Sequence, residues 1–470
     1  MLFNSWSFFV LAAIVFTLYY QLKTVRSQNI LLLISSYAFY AAWDWRFLSL
    51  LFFSTFLDYY CSRGIAASGD TRRRKLLLMM SVVGNLGILC TFKYFDFFVD
   101  NMEVLFGSFG FAAENWRLNV ILPIGISFYT IQTLGYTIDV YRGKAKPEHS
   151  MLDFALFVAF FPQLIAGPIE RASSLIPQLV NPRVLHQDQI FSGAWLILLG
   201  LFKKCVIADN LDLVVGKAFG GPEMPSGLMC LLTMYAFVFQ TYADFSGYSD
   251  MARGMAKLLG IDLVLNFNLP LFSTDPVDFW NRWHISLSHW VRDYLFYALG
   301  GGVRGGFKTY RNFFLVFFLI GAWHGAAWIY VVWGLYNALV FVVYYWAVLN
   351  KYIKSPKTRA RRIVYGIIMF HITAAGFIVH PCLTISRTLQ FHYKILTDWA
   401  FDPLSAETMF YVLAFVAGLL AVELYVRNAD DPRGAPGWRK GIGYVVVGAM
   451  ILSLVLLAAP TGKPFIYFQF

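Results

Sequence analysis

Long apolar runs recur from one end of this chain to the other, and that pattern restricts the fold more than any motif does. The runs begin near residues 2, 29, 46, 76, 119, 151, 190, 228, 313, 331, 362, 406 and 441. Spanning about 30 Å of hydrocarbon takes roughly 20 apolar residues in a helix. Only helices and closed barrels satisfy their backbone hydrogen bonds inside a bilayer. The expectation is an all-α polytopic membrane protein of about 11–13 tilted or re-entrant helices. Composition agrees: 14% of the 470 residues are charged and 58% are hydrophobic, with a mean hydropathy of +0.58. A soluble chain carries about a quarter charged residues. No polar stretch is long enough to form a soluble domain, and no internal repeat is visible.

The net charge of +11 raises the question of nucleic acid, but the basic residues sit in short loops between apolar runs, as the positive-inside rule requires. No continuous basic face exists, so no nucleic-acid partner is expected. Five cysteines, none in a C-x-x-C pair, suit neither a disulfide framework nor a zinc site. No metal is expected. The N-terminus has no basic segment before its first apolar run, so a cleaved signal peptide is not expected.

The loops set an orientation. Arg72–Lys75 and the stretch from Lys351 to Arg362 should be cytoplasmic, with Trp438, Arg439 and Lys440 on the same side. The acidic loop of Asp100, Glu103 and Glu114 should face outward. Counting spans places Met1 and Phe470 both outside. We expect one domain over 1–470, with N-terminal helices in 1–118, a core in 119–349 and C-terminal helices in 350–470. Within the core, 262–311 departs from the pattern. Pro270, Pro276 and the Gly300–Gly306 run interrupt it, and Asp278–Tyr297 is aromatic and amphipathic. Such backbone is tolerated at membrane depth only inside protein or beside a watery cavity, so re-entrant helices lining a site are expected.

Eight histidines are candidates for chemistry. His149, His186, His371, His380 and His392 lie near expected helix ends or in loops and are read as structural; His289 is read as interfacial. His324 differs. It follows the apolar run Phe313–Ile320, and thirteen helical residues from Arg311 place it about 20 Å deep. An ionisable group at that depth marks a functional site by default. Gly321 and Gly325 flank it and would let a backbone or slim substrate approach. A neutral imidazole serves as general base near neutral pH, as acyl transfer to a hydroxyl requires. The bland alternative is a buried histidine satisfied by a carbonyl. No phosphate loop, dinucleotide fingerprint or G-x-S-x-G elbow is present.

Six blocks then carry a resemblance. They are Leu122-Pro123-Ile124-Gly125-Ile126-Ser127-Phe128-Tyr129, Ile138-Asp139-Val140-Tyr141-Arg142-Gly143, Phe161-Pro162-Gln163-Leu164-Ile165-Ala166-Gly167-Pro168, Asp244-Phe245-Ser246-Gly247-Tyr248-Ser249-Asp250, Phe279-Trp280-Asn281-Arg282-Trp283-His284-Ile285-Ser286-Leu287-Ser288 with Arg292-Asp293-Tyr294 after it, and Trp323-His324-Gly325. In this order the chain resembles the membrane-bound O-acyltransferase family, and within it the bacterial branch that includes the alginate O-acetylation membrane protein. The resemblance covers essentially the whole chain. It implies a ring of tilted helices around a funnel, with His324 as catalytic base at the narrow point and His284 as the second histidine of the family pair. It also implies substrate-binding roles for Asn281, Arg282, Arg292, Asp293, Asp244 and Trp323. No tightly bound cofactor is implied; the donor would be acetyl-CoA or a similar acyl thioester in the cytosol. The implied setting is the inner membrane and its lipid, with an exported glycan as final acceptor and a separate extracytoplasmic acyltransferase of the SGNH type as partner. Two departures stand near the expected site. The tract Ala298–Arg304 is one residue longer than the usual pattern and lacks its proline. Asn337 stands where relatives commonly have a further histidine. The alternative reading is a transporter or channel for a small polar solute, since intramembrane histidines and broken helices mark transport paths too.

Overall fold

The computed structural model describes residues 1–110, 116–221, 223–301, 306–354, 356–401, 403–427, 441–459 and 464–466. Glu114, Trp438, Arg439, Lys440, Phe470 and Gly302–Gly305, which the sequence reading used, lie outside these. Contacts divide the chain into two compact units, Met1–Ile190 with Met255–Val264, and Phe191–Gly254 with Leu265–Phe470. Among the described residues every regular element is helical.

The first unit is built on α1 (Trp6–Gln21), α2 (Val25–Asp44), α3 (Leu48–Ala67), α4 (Thr71–Lys93), α5 (Phe95–Ser108), α6 (Ile126–Tyr141), α7 (Met151–Ala159), α8 (Phe161–Leu164) and α9 (Ala172–Val180). Short polar caps start several of them: Ser5, Thr24, Asp70 and Ser150 each accept a backbone N–H of the first turn. Its interior carries a polar knot. The fully buried Asp58 on α3 accepts hydrogen bonds from Ser81 and Asn85 on α4 and from Thr137 on α6. Those bonds offset the cost of placing a carboxylate between apolar helices.

The second unit carries α10 (Gln187–Leu201), α11 (Asp209–Phe219), α12 (Gly227–Leu258), α13 (Pro276–Trp280), α14 (Ile285–Val291), α15 (Phe307–His324), α16 (Trp328–Leu349), α17 (Arg359–Phe377), α18 (Val379–Cys382), α19 (Ile385–Thr397), α20 (Pro403–Arg427) and α21 (Ile442–Leu457). A π-helical turn, Phe202–Ala208, joins α10 to α11. α12 is the axis of this unit. At 32 residues it is about 48 Å long, and most of it is buried. A Cβ added at Gly200 of α10 would lie 2.4 Å from the Gly247 carbonyl of α12. Two glycines thus let the backbones touch, a packing typical of membrane helices.

Each expected apolar run carries a helix. Among the described residues six are long and apolar enough to cross a membrane: Thr71–Lys93, Gln187–Phe219, Gly227–Leu258, Trp328–Leu349, Arg359–Cys382 and Ser405–Val426. Their outer faces expose apolar side chains, such as Leu76 and Val83 on α4 and Phe410 and Leu413 on α20, which suits lipid as the solvent. Between 265 and 301 the chain forms only short helices, none longer than seven residues, as the interruptions there require.

Candidate active site

His324 is the last residue of α15, and the next residue, Gly325, is extended. α15 and α16 form a hairpin whose backbones meet at Gly321 and Gly334. A Cβ on Gly321 would sit 2.4 Å from the Tyr330 carbonyl, and one on Gly334 would sit 2.2 Å from the Phe317 carbonyl. A Cβ on Gly325 would strike the Tyr330 ring at 2.1 Å. This corrects part of the sequence reading. The glycines around His324 admit α16 and Tyr330, not a substrate.

The His324 ring is half-buried among aromatic neighbours. Its centroid is 5.1 Å from Trp323 and 4.9 Å from Trp333, both edge-on. A second imidazole, His380, lies 6.4 Å away. With Phe237, Thr241, Trp283, Trp333 and Phe377, the two histidines line a cavity of about 30 Å³. His380 is buried on α18, and its Nδ1 lies 3.0 Å from the Phe377 carbonyl. Sequence reasoning passed over His380 because it stood near a helix end. The signal available was its place at the end of the long apolar run of α17.

His284 is fully buried at the start of α14, with φ +42°. A non-glycine residue in this left-handed region costs about 1–3 kcal/mol and persists only where its surroundings fix it. Asn266 is the clamp: its carbonyl accepts the Ile285 N–H, and its side chain accepts from the Ser286 hydroxyl at 2.9 Å. The His284 ring packs 4.7 Å from Phe245 and 6.5 Å from Trp323. The structure therefore brings Trp323 beside both histidines, while His284 itself does not line the 30 Å³ cavity.

Asn281 and Arg292 line a second, larger cavity of about 480 Å³, with Trp280, His289 and aromatic residues of α15 and α16 such as Phe313 and Phe341. Trp280 lies 6.2 Å, ring to ring, from Trp333, so the two cavities share an aromatic wall. Arg282 donates to Asp278 at 2.6 Å and Arg292 to Asp293 at 2.8 Å; neither Arg282 nor Asp293 lines this cavity. The Asp293 carboxylate raises the pKa of the half-exposed Arg292 above its ordinary value.

Asp244 stands apart from the expected group. Its carboxylate meets Lys204 at 2.7 Å and accepts the Ile466 N–H at 2.6 Å, and it lines neither cavity. Lys204 also pairs with Asp209 at 2.8 Å. The adjacent Lys203 pairs with Asp250 and Glu423, each at 3.1 Å. The sequence reading missed both lysines. The signal was there: two cations inside an apolar stretch must find anions.

With this geometry in hand, comparison with known proteins is specific. The model of the family described as "MBOAT, membrane-bound O-acyltransferase family" matches residues 9–385. "Probable alginate O-acetylase AlgI" of Pseudomonas putida is 35% identical over the whole of both chains. Its namesake in Pseudomonas aeruginosa is 42% identical over 72% of this chain and 65% of its own. "Peptidoglycan O-acetyltransferase" of Helicobacter pylori is 36% identical over 67% of this chain and 63% of its own.

Proposed function

The chain belongs to the membrane-bound O-acyltransferase family, and from that premise we propose that it moves an acetyl group from a cytosolic thioester, such as acetyl-CoA, toward a hydroxyl of an exported envelope glycan. That it is a multi-pass membrane O-acyltransferase follows from the family itself. Membership also sets aside the transporter reading. The finer statement rests chiefly on one observation: a half-buried imidazole, His324, at the turn of a close-packed helix hairpin and lining a small, mainly aromatic cavity with His380 and Thr241.

The chemistry needs one base. As the acceptor oxygen bonds to the acyl carbon, His324 takes the hydroxyl proton. The tetrahedral intermediate then collapses, the C–S bond breaks, and the proton passes to the departing thiolate. The larger cavity, with Arg292, Asn281, Ser288, His289 and Thr309 on a mainly apolar and aromatic wall, suits the arm of a thioester donor. His284 would brace Trp323 against His324. Relatives named for alginate and for peptidoglycan support a glycan as final acceptor; on this reading the protein sits in the inner membrane and a separate extracytoplasmic acyltransferase of the SGNH type completes delivery.

The test is acylation in cells. A strain deleted for this protein should lose alkali-labile acetate from its envelope polysaccharide, and wild type should restore it. His324→Ala should insert at normal levels yet restore at least about 10²-fold less, the scale of general base catalysis. His284→Ala should fall less. Normal acetylation by His324→Ala would remove the mechanism.

A further inference from the structure

Two buried hydrogen-bond donors that the fold itself does not use border the cavity beside His324. Trp333 of α16 is 3% exposed and Thr241 of α12 is 8% exposed, and neither Trp333 Nε1 nor Thr241 Oγ1 hydrogen-bonds to any described residue. An indole N–H can only donate, and burying it without an acceptor is costly. A helical threonine often settles its hydroxyl on the carbonyl four residues back, as Thr233 of the same helix does with Met229 at 2.8 Å. Thr241, about two turns further along α12, makes no such bond. Donors from two different helices are thus held at one small space.

The space has the size of an acetyl group. One water takes roughly 10–15 Å³, so a cavity of about 30 Å³ holds two or three heavy atoms. The rings of Phe237, Trp283 and Phe377 also line it and suit a methyl group. We propose that the acyl carbonyl of the donor enters here, and that Trp333 Nε1–H and Thr241 Oγ1–H are the catalytic donors that hold its oxygen as it becomes an anion. This rests on the acyl-transfer reading of the site, in which His324 takes the acceptor's proton. When the acceptor oxygen bonds to the carbonyl carbon, the π pair of the C=O bond moves onto the carbonyl oxygen. That oxygen gains a full charge, and the two donors bind it more strongly than they bind the neutral carbonyl. When the C–S bond breaks, the carbonyl re-forms, the bond's electron pair leaves with sulfur, and the thiolate collects the proton from His324. Donors already in place between aromatic walls need not reorient during the reaction, and their hydrogen bonds count for more there than in water. Preference for the transition state over the bound substrate is what raises the rate.

The experiment removes each donor and keeps its shape. Trp333→Phe leaves an aromatic ring beside His324 but has no N–H. Thr241→Val matches threonine in shape but has no hydroxyl, while Thr241→Ser keeps the hydroxyl. Each variant is expressed from the native locus, matched for membrane level and for unfolding temperature in detergent, and alkali-labile acetate on envelope polysaccharide is measured. Trp333→Phe and Thr241→Val should each fall by about 10²-fold, the scale of losing one oxyanion donor, while Thr241→Ser should stay within about threefold of wild type. Wild-type acetylation by Trp333→Phe or by Thr241→Val, or a Thr241→Ser that falls as far as Thr241→Val, would each overturn the proposal. If Trp333→Phe does not reach the membrane, the contrast between the two Thr241 variants decides. A deletion strain that keeps its full acetate would overturn the functional reading itself, and this inference with it.

Discussion

Lys203 and Lys204 show what single residues cost and contribute here. Both are about 5% exposed, and a buried charge stays only when matched. Lys203 faces Asp250 and Glu423, with the Tyr242 hydroxyl also donating to Glu423; Lys204 faces Asp209 and Asp244. The π-turn that holds both lysines is the kind of local widening often found at constrained sites. Lys204→Met would leave two carboxylates without their cation. It should destabilise the protein by about 3–5 kcal/mol, read as a lower unfolding temperature in detergent. Adding Asp244→Asn should recover part of that loss. If Lys204→Met melts as wild type does, the network does not hold the fold. The Asp244–Asp250 block was plain in the sequence, but its partners were not. Lys204 lies forty positions before Asp244 and Glu423 far beyond Asp250, so which anion answers which lysine is decided by the packing of α10, α12 and α20. His380 was hidden for a similar reason: packing alone brings it within 6.4 Å of the His324 ring, which no local pattern records.

At the scale of elements, the hairpin of α15 and α16 positions the chemistry. Gly321 and Gly334 bring the two backbones into contact, and this closeness sets His324 against Trp333. Gly321→Leu should force the helices apart at a cost of about 1–3 kcal/mol. Its effect on acyl transfer should be larger, because a shift of about 1 Å in a reacting group can cost 10²-fold. Gly418→Ala on α20, where an added Cβ meets nothing within 4 Å, is the control and should retain wild-type acetylation. Equal activity in both variants would show that the hairpin spacing is not what places His324. The long helices were legible because apolar runs of spanning length leave the backbone no other option. The broken character of 265–301 was legible from Pro270, Pro276 and the glycines that begin at Gly300. The short helices were not: α8, α13 and α18 have four or five residues each, too few to form without tertiary support.

For the whole molecule the open question is which face of the membrane each loop occupies. Basic loops set orientation, and acidic residues contribute little. Arg72, Arg73, Arg74 and Lys75 lie in the first turns of α4. Arg74 donates to the Tyr141 carbonyl at 2.7 Å, so the end of α6 lies beside the start of α4. The chain between them must therefore leave that face and return to it. Arg142, Lys144 and Lys146 follow α6 directly, so two basic segments distant in sequence combine on one side. The excursion between them carries Asp100 and Glu103, both paired with Arg117, a segment with little net positive charge to oppose export. We therefore expect 68–75 and 142–146 on the cytoplasmic side, and the segment near Trp116 outside. Three helices, α1 to α3, separate Met1 from Arg72; if each crosses, Met1 is also outside. Single cysteines at Ser68, Lys144 and Trp116 in a background lacking the five native cysteines, labelled in intact cells with a membrane-impermeant maleimide, would test this directly. Only the cysteine at 116 should react before the cells are opened, and those at 68 and 144 only afterwards. Labelling of 68 or 144 in intact cells would reverse the assignment.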